Sequence, residues 1–164
     1  MSSHDAVKDS VSRTVRYQGA IVRDGQVLLI QHRLHDCSQC FWLLPGGGQG
    51  PGESAEECVA REMREETGLE VAVERLLLTY PELEFEGRVY GLYSTLKTYL
   101  CTPTRGEARP GYEPEPEAAA DYAIAAVAWF DLRSPELWLP EVRADSITFP
   151  QLQAVGRELG YDSA

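Results

Sequence analysis

The sequence predicts a single α/β domain. Runs rich in β-branched, aromatic and leucine residues flank Asp24-Gly25 and recur from Val71 to Leu78, Val89 to Cys101 and Ala123 to Phe130, as strands do. Two stretches, Ser54 to Gly68 and Phe149 to Leu159, place their apolar residues at helical spacing instead. A length of 164 residues at 43% hydrophobic content is in the range where one core buries most of the apolar surface.

Residues 1–12 are polar and charged with no apolar period, which predicts a loose N-terminal tail before a single domain over 13–164. Tyr17 to Val22 and Val27 to Ile30 form a hairpin, because Asp24-Gly25 tolerates the positive φ angles of a tight turn. His32 to Trp42 is mixed and polar, and Leu43-Leu44-Pro45 leads into a run of glycines with Pro51; both read as loop without regular structure. Ser54 and Glu57 have the spacing of a capping box, Val59 and Met63 share a core-facing side, and Gly68 is a left-handed stop.

The two longer strands that follow are separated by an acidic turn at Glu82 to Gly87. Prolines, glycines and glutamates make Thr102 to Ala120 a long loop, of a composition that could order on binding substrate and metal. The strand Ala123 to Phe130 comes next, and Pro150 leads into a C-terminal helix with Leu152, Val155 and Leu159 on one side. No internal repeat is visible.

The formal net charge of -11 argues against nucleic acid or an anionic membrane as partner. A polyanionic small molecule would need a bound divalent cation to reverse the local field. No signal peptide or membrane-spanning run is found, the longest nearly apolar run being Ala123 to Phe130, so the expectation is a soluble cytoplasmic protein. Four cysteines are too few and scattered for a disulfide framework.

The chemistry concentrates in Gly46-Gly47-Gly48-Gln49-Gly50-Pro51-Gly52-Glu53 and the helix after it. Glu62, Glu65 and Glu66 share one side of that helix, with about 5–6 Å between Cβ atoms. Three like charges destabilise a bare helix but suit Mg²⁺, which takes oxygen ligands, keeps several waters and commonly shares carboxylates with substrate phosphates. The glycine loop lets backbone approach closely, so a carbonyl there could add a ligand.

Gly47, Glu53, Arg61-Glu62, Met63, Glu65-Glu66, Gly68 and Leu69, at these intervals, resemble the complete Nudix box, and Trp42-Leu43-Leu44-Pro45-Gly46 resembles its usual lead-in. The resemblance implies an α/β/α sandwich, a mixed sheet between helices. It implies Glu62, Glu65, Glu66 and the Gly46 carbonyl as metal ligands for Mg²⁺, with Mn²⁺ as a substitute, and Glu53 paired with Arg61 to fix the loop. Glu53, Arg61, Glu62 and Glu65 make up the catalytic set, with Glu62 favoured as general base. The implied reaction is attack of water at phosphorus, cleaving the diphosphate of a nucleoside diphosphate linked to a group X: a nucleotide sugar, ADP-ribose, a dinucleoside polyphosphate or a noncanonical nucleoside triphosphate.

The sequence departs from the family pattern in two places. Many relatives carry glutamates six and three residues before an aromatic that ends the late strand. Trp129 fits the aromatic, but Ala123 and Ala126 stand at those positions. Glu113, Glu115, Glu117 and Asp121 are then the alternatives for an extra base or ligand. The proline that follows the box in ADP-ribose hydrolases is replaced by Phe85, with Pro81 earlier.

Substrate readers are sought among Arg16, Tyr17, Arg33, Arg88, Tyr90 and Tyr93, against the plainer reading of strand packing and solvated charge. A zinc site from His32, His35, Cys37 and Cys40 has tighter spacing than structural zinc sites use, and a surface loop holding two thiols is the simpler account. Cys58 and Cys101 read as small core residues. A catalytically silent nucleotide-sensing module is the alternative function, although its usual mark, loss of the metal glutamates, is missing. An RNA-decapping enzyme would need a basic tract that the chain lacks. A homodimer is admitted by the resemblance and specified by no segment.

Overall fold

The computed structural model describes residues 15–35, 39–80, 93–112 and 122–161. Among them are seven strands: β1 (Val15–Arg23), β2 (Gln26–Leu34), β3 (Cys40–Leu43), β4 (Gly46–Gly47), β5 (Glu70–Tyr80), β6 (Thr95–Arg105) and β7 (Tyr122–Asp131). The helices are α1 (Ala55–Thr67), a short α2 (Pro140–Arg143) and α3 (Thr148–Glu158), with a 3₁₀ turn at Pro135–Leu137.

The β1–β2 hairpin turns as expected, with Asp24 at φ 53° and Gly25 at φ 74°. Its strands pair only at the tip, Val22 with Val27 and Arg23 with Gln26, and then take different partners. β3 pairs with β2 (His32 with Phe41, Arg33 with Cys40), and β4 pairs with β1 (Tyr17 with Gly47, Gln18 with Gly46). Both short strands lie in segments expected to be loop. Their backbone groups find partners on the two hairpin strands, a long-range pairing that local composition does not encode.

On the other edge of β1, β6 runs parallel, from Val15 beside Thr95 to Ile21 beside Cys101; β5 adds antiparallel to β6, and β7 antiparallel to β2. The sheet is therefore mixed. β6 continues through Arg105, past the expected start of the loop at Thr102, because its residues still pair with Val71 and Glu70. The acidic turn 82–87, the N-terminal tail 1–12 and the loop's second half 113–120 lie outside the described residues.

Alternate residues of β1 serve opposite faces, as a period of two requires. One face packs Ile21, Leu28, Tyr99 and Cys101 under Val59 and Met63 of α1. The other packs Ala20, Val27, Leu29, Leu44 and Phe130 under Leu152 and Val155 of α3, with Trp138 and Val142 from the preceding turn and α2. Burying one such side chain contributes about 1.5–3 kcal/mol. α1 lies so close to the sheet that a Cβ on Gly19 would come 2.5 Å from Met63 Sδ.

α1 has the predicted boundaries. Ser54 Oγ accepts from Glu57 N, the Glu57 carboxylate accepts from Ser54 N, and Gly68 closes the helix at φ 76°. α3 begins at Thr148, two residues before Pro150, because Asp145 Oδ1 accepts from the N–H groups of Ile147 (2.8 Å) and Thr148 (2.9 Å). A buried amide bridge joins the layers: Gln18 Nε2 donates to Thr98 Oγ1 (2.8 Å) and Gln151 Oε1 (2.9 Å). No helix among the described residues is long and apolar enough to cross a membrane.

Candidate active site

The splayed hairpin sets the geometry of the site. Because β3 follows β2 and β4 follows β1, the intervening Leu44-Pro45 turn spans the gap, and Pro45 O accepts from Gly19 N at 2.9 Å. Arg16 anchors the same turn from below, its Nη2 donating to Leu44 O and its Nη1 to Gly46 O, each at 2.9 Å. Gly46 has no room for a side chain. A Cβ there would lie 2.4 Å from Tyr17 O and 2.6 Å from Gln18 Cα, backbone atoms that cannot yield.

α1 meets this turn through its carboxylates. Gly46 N donates to Glu66 Oε2 at 3.1 Å, so the strand's glycine and the helix's last turn are joined directly. Glu62 and Glu66 are fully buried, and Glu65 keeps 16% of its side chain exposed. Three carboxylates at the end of a helix that already carries partial negative charge are a cost to folding.

Arg61 draws the set together. Its Nη1 donates to Glu62 Oε1 (3.1 Å) and Glu65 Oε2 (3.0 Å), and its Nη2 to Gly48 O (3.1 Å). Towards Glu53 it presents a two-pronged pair, Nε to Oε2 at 2.7 Å and Nη2 to Oε1 at 2.9 Å. That pairing holds the Glu53 carboxyl at about 2, well below its usual range, with help from the Gly50 N–H. The loop 48–53 is thus locked to the first turns of α1. Cys58 sits beneath it, buried, its thiol pushed up to about 12 chiefly by burial.

Glu62, Glu65, Glu66 and the Gly46 carbonyl form an all-oxygen donor set of the kind a hard divalent cation takes. Among the described residues no group of three histidine, cysteine, aspartate or glutamate side chains stands placed to hold a metal ion by itself. A hard divalent cation held by only a few carboxylates completes its shell with waters and substrate oxygens. The Gly46 oxygen retains a second lone pair beside its bond from Arg16.

Arg16, sought as a substrate reader, is 1% exposed and donates to the Leu44 and Gly46 carbonyls. Its signal was the Leu-Pro-Gly turn, whose carbonyls need donors. Tyr17 and Tyr93 are half-buried, and Arg33 is exposed on β2. Arg88, Tyr90, Glu113, Glu115, Glu117 and Asp121 lie outside the described residues, while Ala123 and Ala126 stand on β7.

Pairing of His32 with Phe41 and of Arg33 with Cys40 turns His32 and Cys40 to opposite faces, and His32 is buried. That separates two of the residues considered for zinc, while Cys37 lies outside the described residues. Cys58 and Cys101 are fully buried free thiols, as expected.

Sequence reading missed the segment 106–112, which packs on the C-terminal end of α1. Arg109 N donates to Thr67 O (2.8 Å), Gly111 N to Glu66 O (2.9 Å) and Tyr112 N to Glu65 O (3.1 Å). Nothing in its local composition announces a contact made across the fold.

Comparison with known proteins bears on the family and the fold. An ADP-ribose pyrophosphatase of Methanocaldococcus jannaschii is 40% identical over 80 residues, 48% of this chain and 47% of that protein. An NAD-capped RNA hydrolase of Vibrio atlanticus is 30% identical over 123 residues, 75% of this chain and 38% of that protein. The matched stretch thus spans about half or less of those relatives. Among solved structures, a UDP-X diphosphatase superposes with a TM-score of 0.63 at 20% identity, covering 98% of this chain and 72% of that one. An ADP-ribose pyrophosphatase of Streptococcus suis gives 0.60 at 23%, covering 87% and 89%. The family model for the NUDIX domain matches residues 13–150, and the chain belongs to the Nudix family.

Proposed function

We propose that the chain is a Mg²⁺-dependent pyrophosphohydrolase acting on a nucleoside diphosphate linked to a second group. The observation that carries this reading is the joining of Glu66 to Gly46 through its N–H and of Glu62 and Glu65 to the glycine loop at Gly48 and Glu53 through Arg61. Nudix hydrolases generally use divalent metal ions, and this donor set fits one.

Glu62, Glu65, Glu66 and the Gly46 carbonyl would hold the ion. When bound, it neutralises phosphate oxygens and lowers the pKa of water. Glu66 holds the loop and helix in register through Gly46 N. Arg61 keeps Glu62 and Glu65 side by side, and Glu53 keeps Arg61 from turning away. Of the three carboxylates Glu65 alone is partly exposed, so it shares with Glu62 the assignment as general base.

The substrate classes to test are ADP-ribose, CTP and NAD-capped RNA, from the relatives' names, with a nucleotide sugar and a dinucleoside polyphosphate from the family resemblance. The deciding experiment is product release across that panel with Mg²⁺, comparing the native protein with Glu65→Gln and Glu66→Gln. Turnover of one compound, lost in both variants, supports the reading. Tight nucleotide binding without turnover of any compound replaces it with a sensing module.

A further inference from the structure

We infer that Gly111 is a positioning residue for the box glutamates. Its segment forms a clamp that sets the last turn of α1 for cation binding. This rests on the metal reading of Glu62, Glu65 and Glu66.

The last four carbonyls of a helix have no partner within it. In α1 the Arg64 carbonyl is met by Gly68 N at 3.1 Å, and the remaining three are met from outside by Arg109, Gly111 and Tyr112. Two of those three belong to Glu65 and Glu66 themselves. The clamp thus grips the backbone of the residues whose side chains carry the site. It also brings N–H dipoles to the negative end of the helix, where the carboxylates cluster and where partial positive charge relieves their repulsion.

Contact, not conformation, demands glycine at 111. Its φ is not among the positive ones, so other residues could adopt its backbone. A Cβ, however, would fall 1.8 Å from Glu65 O and 2.8 Å from the carbonyl carbons of Glu65 and Glu66. All three are main-chain atoms of α1, so any side chain at 111 must push the segment off the helix or shift the last turn. The first strips the Glu65 and Glu66 carbonyls of their partners and loosens the last turn, and the second displaces both residues relative to Gly46, whose N–H holds Glu66.

The test is Mn²⁺ binding followed by electron paramagnetic resonance on the full chain, for the native protein, Gly111→Ala, Glu66→Gln and Val155→Ala. Val155 is a fully buried α3 residue in the opposite core and serves as a control for lost stability. Gly111→Ala should weaken Mn²⁺ binding at least tenfold and lower kcat with KM unchanged, while Val155→Ala, though less stable, binds as the native protein does. Native-like binding by Gly111→Ala, or an equal loss in Val155→Ala, overturns the inference.

If the native protein binds no Mn²⁺, or Glu66→Gln binds it equally well, the metal reading itself fails and the inference goes with it. Hydrogen exchange on the native protein gives a readout that needs no variant to fold. Because coupling is reciprocal, saturating Mg²⁺ should slow exchange at the Gly111 and Tyr112 amides, and unchanged rates there count against the clamp.

Discussion

Arg61 and Glu53 form a two-pronged ion pair, at 2.7 and 2.9 Å, that ties the glycine loop to α1 while the same guanidinium reaches Glu62 and Glu65. A lysine keeps the charge but not the fork. Arg61→Lys should lower unfolding free energy by about 1.5–3 kcal/mol and kcat/KM by roughly 10–100-fold. Urea titration and steady-state kinetics measure the two losses, and a native-like kcat/KM would count against the role given to Arg61.

The same pair predicts a pH dependence. Glu53 titrates at about 2 in the folded chain against an ordinary value of 4.5. As pH falls the unfolded state takes up the proton first, so the pair's contribution is complete above about 4.5 and lost by about 2. Urea midpoints over that range should fall more steeply for the native protein than for Glu53→Gln. Parallel curves would show that the pair contributes nothing.

Arg16 separates a strut from a substrate reader. Because its Nη1 and Nη2 donate to backbone carbonyls, Arg16→Lys should cost about 2–3 kcal/mol of stability and lower kcat. Loss of a reader would instead raise KM with stability and kcat intact.

Two glycines of the loop should differ sharply. Gly46→Ala drives a Cβ into the β1 backbone, whereas at Gly50 the nearest atom is Glu53 Oε1 at 3.4 Å, an ordinary contact. Thermal unfolding should show a loss of about 1–3 kcal/mol for Gly46→Ala and a small change for Gly50→Ala. Equal losses would argue against the close approach of β4 to β1.

Addition of Mg²⁺ should raise Tm, since a ligand bound only by the folded state stabilises it by about 2.7 kcal/mol at a hundredfold excess over Kd. A chelator should reverse the shift, and Glu66→Gln should abolish it. A shift of the same size in that variant would place the ion elsewhere.

The sequence alone determined what depends on neighbours along the chain. The Asp24-Gly25 turn, the Ser54 and Gly68 limits of α1, and the shared side of Glu62, Glu65 and Glu66 follow from local rules of φ, capping and helical period. Tertiary structure alone decided what depends on distant partners. β3 and β4 exist because the splayed hairpin leaves edges to pair. Arg16 turned inward because the Leu44 and Gly46 carbonyls needed a donor, and Gly111 reached α1 because three helix-end carbonyls needed N–H groups. Composition carries no record of such pairings, since a buried polar group accepts whichever partner the fold brings within reach.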